Sequence, residues 1–321
     1  RRYALAGAVL LSGRASYLNS SSGVLIGLYG LSPTFYGILF AILPLGFMAG
    51  RRAPARGVWA SRVIWSLPLL IVLVMISRSW PAIRQALGEK RTLLALLCST
   101  TILMANWFIY IHAINSDRIL ETSLGYFINP LVNVIFGLVI FKERLRPWQM
   151  LALGLAALGV LNLVLRAGEV PWIALSLAVT FSTYGMIRKL VKLGSVEGLL
   201  VETALVLPIA LGYAGYLAAA GQAQFLALGW RLDLLIILAG PVTALPLIWF
   251  TSAARRLNYS TLGIFQYIAP SGHFLLGVFV YEEPFGSVQL FTFACIWTAL
   301  AIFTADSVRH MRRIGGLQSR K

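Results

Sequence analysis

A stripe of polar and small residues runs through residues 122–137, a stretch that is otherwise largely apolar. Its members are spaced by three or four positions and so share one face of a helix: Thr122, Tyr126, Asn129, Asn133 and Gly137. Pro130 has no N–H, so it leaves the carbonyl of Tyr126 without its usual helical partner. The stripe therefore offers a phenol, two amides and a carbonyl that could hydrogen-bond a polar solute.

A second stripe repeats this arrangement, with Gln266, Pro270, His273 and Gly277 at spacings of four, three and four. Tyr267 follows Gln266, whose carbonyl Pro270 would leave without a helical partner. Polar groups that face lipid without a partner are costly, so both stripes should face protein or water. The stripes either line a cavity or join neighbouring helices through their amides. Their recurrence, each time with a proline, favours a cavity.

Charged and aromatic residues interrupt other apolar stretches. A charge at the bilayer centre costs at least about 2.5 kcal/mol, so Arg62 and Glu202 either extend to the membrane surface or serve a site. Because histidine titrates near neutral pH, His112 and His273 join Glu202 as candidate proton carriers, although hydrogen-bonded packing is an alternative role. The further candidate residues of the third apolar stretch are Asn106, Trp107 and His112.

No motif of a soluble enzyme competes with this interpretation. The sequence lacks H-E-x-x-H, G-x-S-x-G, a P-loop and S-x-x-K. Asp117 and Asp233 are isolated, whereas a magnesium-dependent prenyltransferase would need paired aspartates. The two cysteines, Cys98 and Cys295, do not form a C-x-x-C motif. We therefore predict no catalytic residue, metal or cofactor.

The composition indicates that the elements carrying these residues lie in a membrane. Of the 321 residues, 59% are hydrophobic and 12% are charged, about half the charged fraction of a soluble domain. The mean hydropathy is +0.80. Because about 20 apolar residues span a bilayer, we predict an all-α integral membrane protein of ten transmembrane helices: 24–43, 58–77, 92–114, 122–141, 147–165, 170–187, 198–220, 232–253, 260–281 and 287–305.

The basic residues predict the orientation of these helices. With the amino terminus inside, 20 of the 27 basic residues fall on the cytoplasmic side. We therefore predict that both termini are cytoplasmic, with residues 1–23 as a cytoplasmic or interfacial tail and 306–321 as a basic tail. The net charge of +16 is then an orientation signal and not a nucleic-acid footprint. The loop RRAPARG (51–57) is an exception, because it would place three arginines outside.

A constant offset of 140 residues relates the two halves of the chain. It pairs Pro130 with Pro270 and Arg62 with Glu202, and the further matches are Gly137 with Gly277, Glu143 with Glu283, Gln149 with Gln289, and Pro68 with Pro208. The offset spans five predicted helices, an odd number, so the second copy would enter the membrane from the opposite side. We predict two inverted five-helix halves, 24–166 and 167–305. The alternative is a set of unrelated helices of similar composition.

Several motifs resemble the RarD branch of the drug/metabolite transporter superfamily. They are RVIWSLP (62–68), ANW (105–107), LETSLGYFINPLVNV (120–134), FKERL (141–145), ETALVLP (202–208), STLGIFQYIAP (260–270) and FTFACIW (291–297). The resemblance covers roughly residues 59–305. It implies two EamA-type halves of five helices each, in an inner-membrane carrier of small organic molecules.

The segment before Trp59 departs from this family, which usually has an acidic loop before the residue corresponding to Arg62. Here the loop is RRAPARGVW (51–59), a composition typical of a shifted reading frame in GC-rich DNA. We hypothesise that part of 44–58 is out of frame or degenerate, which resequencing of the coding region would test.

These observations together predict a bacterial inner-membrane secondary transporter that moves a small organic solute by alternating access, with protons as a candidate coupling ion. The alternative from another class is a membrane interaction or sensor protein that uses the same helices without transport. A transporter and a non-transporting protein differ in one respect. A transporter needs its polar stripes to meet in a water-filled cavity, whereas a non-transporting scaffold would pack them against each other without water.

Overall fold

The computed structural model describes residues 58–116, 118–166, 168, 170–222, 225, 229–279 and 286–318. The predicted tail 1–23, the first predicted span 24–43 and the loop 51–57 lie outside these residues. Every regular element of the described part is a helix. In chain order the helices are α1 Val58–Ser77, α2 Trp80–Gly88, α3 Lys90–Asn115, α4 Ile119–Val139, α5 Pro147–Arg166, α6 Trp172–Leu190, α7 Ser195–Ala219, α8 Trp230–Arg256, α9 Tyr259–Gln266, α10 Ile268–Phe279 and α11 Ser287–Gln318.

Within the described part, seven helices are long and apolar enough to cross a membrane. Their apolar segments are Trp59–Ser77, Lys90–Ala113, Glu121–Val139, Pro147–Arg166, Ser195–Ala219, Ile236–Arg256 and Ser287–His310. Seven of the predicted spans are thereby confirmed as helices of membrane length, and the all-α prediction holds in this part of the chain. The predicted span 170–187 corresponds to α6, and the short helix α2 was not predicted.

The prediction of one kinked helix over 260–281 is wrong, because the chain breaks at Tyr267 into α9 and α10. The N–H of Tyr267 binds the carbonyl of Ile264, 3.1 Å away, which closes a tighter turn than an α-helix would. Pro270 consequently lies in the first turn of α10, where its missing N–H breaks no helical hydrogen bond. Pro130, in contrast, lies inside a continuous α4.

The described residues form two compact units. Unit 1 consists of residues 58–108 and 183–256, and unit 2 consists of 109–182 and 257–318. Helices α3 and α6 each run from one unit into the other.

In unit 1, α1 packs against α7 and α8. A small core of Ala60, Val63, Val206 and Ala210 lies between α1 and α7. Gly240 of α8 lies so close to α1 that an added Cβ would overlap the backbone at Trp65 and Ser66. Only glycine therefore permits this approach of the two helices.

In unit 2, α4 packs against α9 and α5 packs against α11. The hydroxyl of Tyr267 binds the carbonyl of Phe127 3.1 Å away, whereas Tyr259, eight residues earlier, contacts Glu143. The residue numbers thus rise along α4 while they fall along α9, so the two elements run antiparallel. The α5–α11 pair is antiparallel as well: an ion pair of 2.6 Å joins Arg146 to Asp306, while other contacts join Asn162 to Val288 and Thr292, and Gly159 to Thr292.

The carboxylate of Glu143 fixes the start of α9. It accepts the backbone N–H of Tyr259 (2.6 Å) and, through its other oxygen, the N–H (2.8 Å) and hydroxyl (2.6 Å) of Ser260. Asn258, at the N-cap position, makes no side-chain cap hydrogen bond of its own. Glu143 thus satisfies helix-end donors that a local cap would normally satisfy, and its negative charge suits the helix dipole.

We predict that Glu143→Ala destabilises the protein by about 1–3 kcal/mol, because it leaves partly buried donors without an acceptor. The matched control is Glu89→Ala, which removes an exposed glutamate whose carboxylate accepts the hydroxyl of Thr92 (2.8 Å). Thermal unfolding of the purified variants in detergent should show a clearly larger drop for Glu143→Ala. An equal drop would contradict the capping role.

Candidate functional site

A small cavity of about 50 Å³ lies within unit 1. It brings together three residues that the sequence analysis singled out, Arg62 of α1, Trp107 of α3 and Glu202 of α7. Its other lining residues are Val63, Ser66, Thr100, Leu103, Met104, Leu199, Thr203, Val206, Thr243, Ala244 and Leu247. The wall is therefore largely apolar with a few polar groups, as in most small-molecule sites.

Glu202 is buried at this wall and has three polar partners in unit 1. The hydroxyl of Ser99 donates to one carboxylate oxygen at 2.5 Å, and the hydroxyl of Tyr184 donates to the other at 3.3 Å. The guanidinium of Arg188 lies 3.6 Å from the carboxylate. A buried carboxylate is stable only with such partners. The site therefore depends on side chains from α3 and α6 as well as α7.

Arg188 is fully buried, which the sequence analysis did not foresee. Its Nη2 donates to the carbonyl of Gly194 at 3.0 Å, whereas Nε and Nη1 have no hydrogen-bond partner among the described residues. A Cβ added at Gly198 would overlap the guanidinium, so this glycine makes room for the buried cation. In the sequence Arg188 looks like one more cytoplasmic basic residue. The signal that could have revealed it is the need of intramembrane Glu202 for a counter-charge.

A network of amides joins helices within unit 2. Asn129 donates to the carbonyl of Ala178 (3.1 Å) and to the hydroxyl of Ser182 (3.2 Å). Asn133 donates to the side-chain oxygen of Asn129 (3.3 Å) and to that of Gln266. The network thus connects α4 to α6 and α9, as interhelical amides commonly do.

Close helix packing surrounds this network. A Cβ added at Gly263 would lie 2.6 Å from the carbonyl oxygen of Pro130, and Tyr267 is fully buried. These contacts correspond to the interhelical alternative, although the buried side-chain oxygen of Asn133 has no hydrogen-bond partner among the described residues. A role of the stripe in binding a solute stays a prediction.

The remaining predicted residues occupy different environments. Asn106 is buried on α3, and His112 is exposed on the last turn of the same helix. Tyr126 is half-buried and Pro270 is buried, while the side chain of His273 lies outside the described part. In the described ranges, no group of three His, Cys, Asp or Glu residues is placed to hold a metal ion.

The buried ion pair generates a stability prediction. Arg188→Met alone leaves the charge of Glu202 without its counter-ion, and Glu202→Gln alone does the same to Arg188. Each should destabilise the protein by about 3–5 kcal/mol.

The double variant removes both charges and should lose much less than the sum of the two single losses, because no uncompensated buried charge remains. Reversible unfolding in mixed micelles gives the free energy of unfolding of the wild type, the two single variants and the double variant. Lys192→Met is the control for loss of an exposed positive charge. Strict additivity of the two losses would refute the pair.

Comparison with known proteins places these observations in a family. No family model matches the chain. An uncharacterized transporter of Vibrio cholerae is 42% identical over 271 residues, which are 84% of this chain and 90% of that protein. Protein RarD of Escherichia coli is 39% identical over 296 residues, 91% of this chain and 96% of that protein.

A chloramphenicol-sensitive protein RarD of Pseudomonas aeruginosa is 32% identical over 92% of this chain and 97% of that protein. One crystal structure has the same fold with a TM-score of 0.62 at 19% identity, over 94% of this chain and 98% of that one. Several apolar helices of membrane length and similarity to these relatives over most of the chain lead to one conclusion: the chain belongs to the RarD family of multi-pass membrane transporters.

Proposed function

We propose that this protein is a secondary transporter of the bacterial inner membrane that moves a small organic solute by alternating access. The observation that carries the proposal is the cavity of unit 1, where Arg62 and Glu202 line one space within helices of membrane length. Intramembrane charges are costly and usually mark a solute or ion pathway. A sensor whose polar groups were packed against each other without water would not need such a cavity.

The proposed architecture consists of two inverted, EamA-type halves, 24–166 and 167–305. Three pairs of helices support it, because their first residues are 140 positions apart: Lys90 and Trp230, Ile119 and Tyr259, and Pro147 and Ser287. This is the offset found in the sequence. Within unit 2 the related pairs α4–α9 and α5–α11 pack antiparallel, which is what opposite insertion of the two copies requires.

Glu202 is the group we assign to proton coupling. Its side chain lines the cavity. The hydroxyls of Ser99 and Tyr184 donate to its carboxylate, so the carboxyl group has polar neighbours whether or not it carries a proton. The guanidinium of Arg188 is the cation that faces this carboxylate. Protonation of Glu202 would therefore leave a net positive charge beside the cavity, and deprotonation would restore the neutral pair.

Transport by reconstituted protein tests this function. Proteoliposomes loaded with a bacterial metabolite extract should lose specific compounds, identified by mass spectrometry, faster than empty liposomes. A pH gradient should change that rate severalfold in the wild type and in the control Glu89→Gln. It should not change the rate in Glu202→Gln, which cannot exchange the proton. No loss of any compound contradicts transport, and an unchanged pH response of Glu202→Gln removes Glu202 from coupling.

Reporter fusions test the inverted architecture and the cytoplasmic termini. Alkaline phosphatase, active only outside, and a fluorescent protein that fluoresces only in the cytoplasm should be fused after Arg146, Arg166 and Arg256. We expect cytoplasmic signals after Arg146 and Arg256 and an external signal after Arg166, because one predicted span separates Arg146 from Arg166 and four separate Arg146 from Arg256. Opposite signals at two of these sites would refute the inverted repeat.

A further inference from the structure

The segment that joins α1 to α3 lies at one surface of the bilayer. Helix α1 ends at Ser77 and α3 begins at Lys90, and both helices contain apolar segments of membrane length. The helix between them, α2, has 9 residues. Its length of about 14 Å is far too short to cross a bilayer. A short helix between the ends of two membrane-length helices lies along the membrane surface.

The chain passes from α1 into α2 by a sharp turn at Arg78. The φ of this residue is +52°, in the left-handed region that an arginine adopts only at a cost in strain. Its N–H binds the carbonyl of Met75 (3.2 Å). The N–H of Ser79 binds the carbonyl of Val74 (3.3 Å), which closes the end of α1. Helix α2 therefore follows α1 without a long loop between them.

Helix α2 has a buried apolar face and an exposed stripe that is also partly apolar. Ile83 and Ala86, three positions apart, are buried, and α2 packs against α7 of the same unit. Trp80, Arg84 and Leu87 follow spacings of four and three and are all exposed. Tryptophan is enriched where headgroups meet acyl chains, and leucine there has apolar surface to contact. The exposed stripe is therefore suited to contact with lipid.

Basic residues accompany this stripe. Arg78, Arg84, Lys90 and Arg91 are exposed, and the only acidic residue between the first and last of them is Glu89. The formal charge of the segment is therefore +3, from four basic residues and one acidic residue. Within the described ranges, none of the four forms an ion pair with a carboxylate. A basic segment at a membrane surface attracts anionic headgroups, with about a fivefold gain in affinity per basic residue.

The exposed apolar and basic side chains of this segment form what we call the α2 surface: Trp80, Leu87, Arg78, Arg84, Lys90 and Arg91. We propose that the α2 surface binds an anionic phospholipid. The lipid phosphate accepts hydrogen bonds from the basic side chains, while the acyl chains contact the tryptophan and the leucine. The basic residues provide the preference for negative charge, and the apolar residues bind lipids of any charge. This role is separate from transport and does not depend on it.

Competition between two lipids with the same acyl chains tests the inference on the wild type. The full-length protein in neutral detergent is mixed with equal amounts of phosphatidylglycerol, which is anionic, and phosphatidylcholine, which is zwitterionic. Native mass spectrometry measures which lipid binds first. We expect a preference for phosphatidylglycerol of at least about tenfold. It should fall severalfold at about 1 M salt, which screens exposed charges. Equal binding of the two lipids would overturn the inference without any variant.

Neutralisation of the basic residues locates the site. The triple variant Arg84→Gln/Lys90→Gln/Arg91→Gln should lose the preference for phosphatidylglycerol by at least about tenfold, because three charges leave the surface. If this variant does not fold, Arg84→Gln alone should lose about fivefold. Retention of the wild-type preference by the folded variant contradicts the assignment.

A matched control removes the same charge elsewhere. Lys142→Gln/Arg144→Gln/Lys192→Gln replaces three exposed basic residues that lie between α4 and α5 and between α6 and α7. These residues act on a lipid at α2 only through screened charge, so the preference should stay within about twofold of the wild type. An equal loss in the control and in the α2 variant would show general attraction to the protein and overturn a site at α2.

Two further measurements separate a lipid from a soluble phosphate. Trp80→Gln/Leu87→Gln should weaken both lipids by a similar factor and leave their ratio unchanged, because these side chains contact acyl chains. Glycerol 3-phosphate, which has no acyl chains, should fail to displace phosphatidylglycerol even in large excess. Displacement by glycerol 3-phosphate together with unchanged lipid affinity of the Trp80/Leu87 variant would identify a soluble phosphate as the ligand and overturn the assignment to lipid.

Discussion

The buried ion pair of Arg188 and Glu202 is the interaction on which unit 1 depends most directly. Both groups lie away from water in helices that are otherwise apolar, so each must find its partners inside the protein. The pair draws Ser99 from α3, Tyr184 and Arg188 from α6 and Glu202 from α7 into one cluster. The cavity lies beside this cluster because Glu202 belongs to both.

Small residues make this arrangement possible. Gly198 leaves space for the guanidinium, and Gly240 lets α8 approach the backbone of α1. In unit 2, Gly263 and Gly159 have the same effect on the α4–α9 and α5–α11 pairs. Apolar surface gives helices little reason to associate in lipid, so close packing and hydrogen bonds must hold them together. Glycine permits both, because it brings backbone carbonyls and polar side chains within reach of the facing helix.

The sequence was sufficient to predict features set by local spacing. The shared face of Asn129 and Asn133 follows from their four-residue spacing, and the hydrogen bond between their side chains agrees with it. The long apolar helices follow from composition. The break at Tyr267 could not be predicted in the same way, because Pro130 and Pro270 have similar neighbours in sequence. The carboxylate of Glu143 holds the start of α9, and the burial of Tyr267 against Phe127 fixes its end.

Long-range pairing explains why the site was predicted only in part. Arg62 and Glu202 stood out because charges are rare in apolar stretches, whereas Arg188 lies where basic residues are ordinary. Its burial depends on Gly198 and on the position of α7, neither of which has a local signature.

On the proposed repeat, Arg62 and Glu202 occupy equivalent positions but carry opposite charges. A scaffold of two similar halves would give its cavity two similar walls. The exchange of a cation for a carboxylate makes those walls unlike, and only the carboxylate needs the buried cation Arg188 that lies 3.6 Å from it.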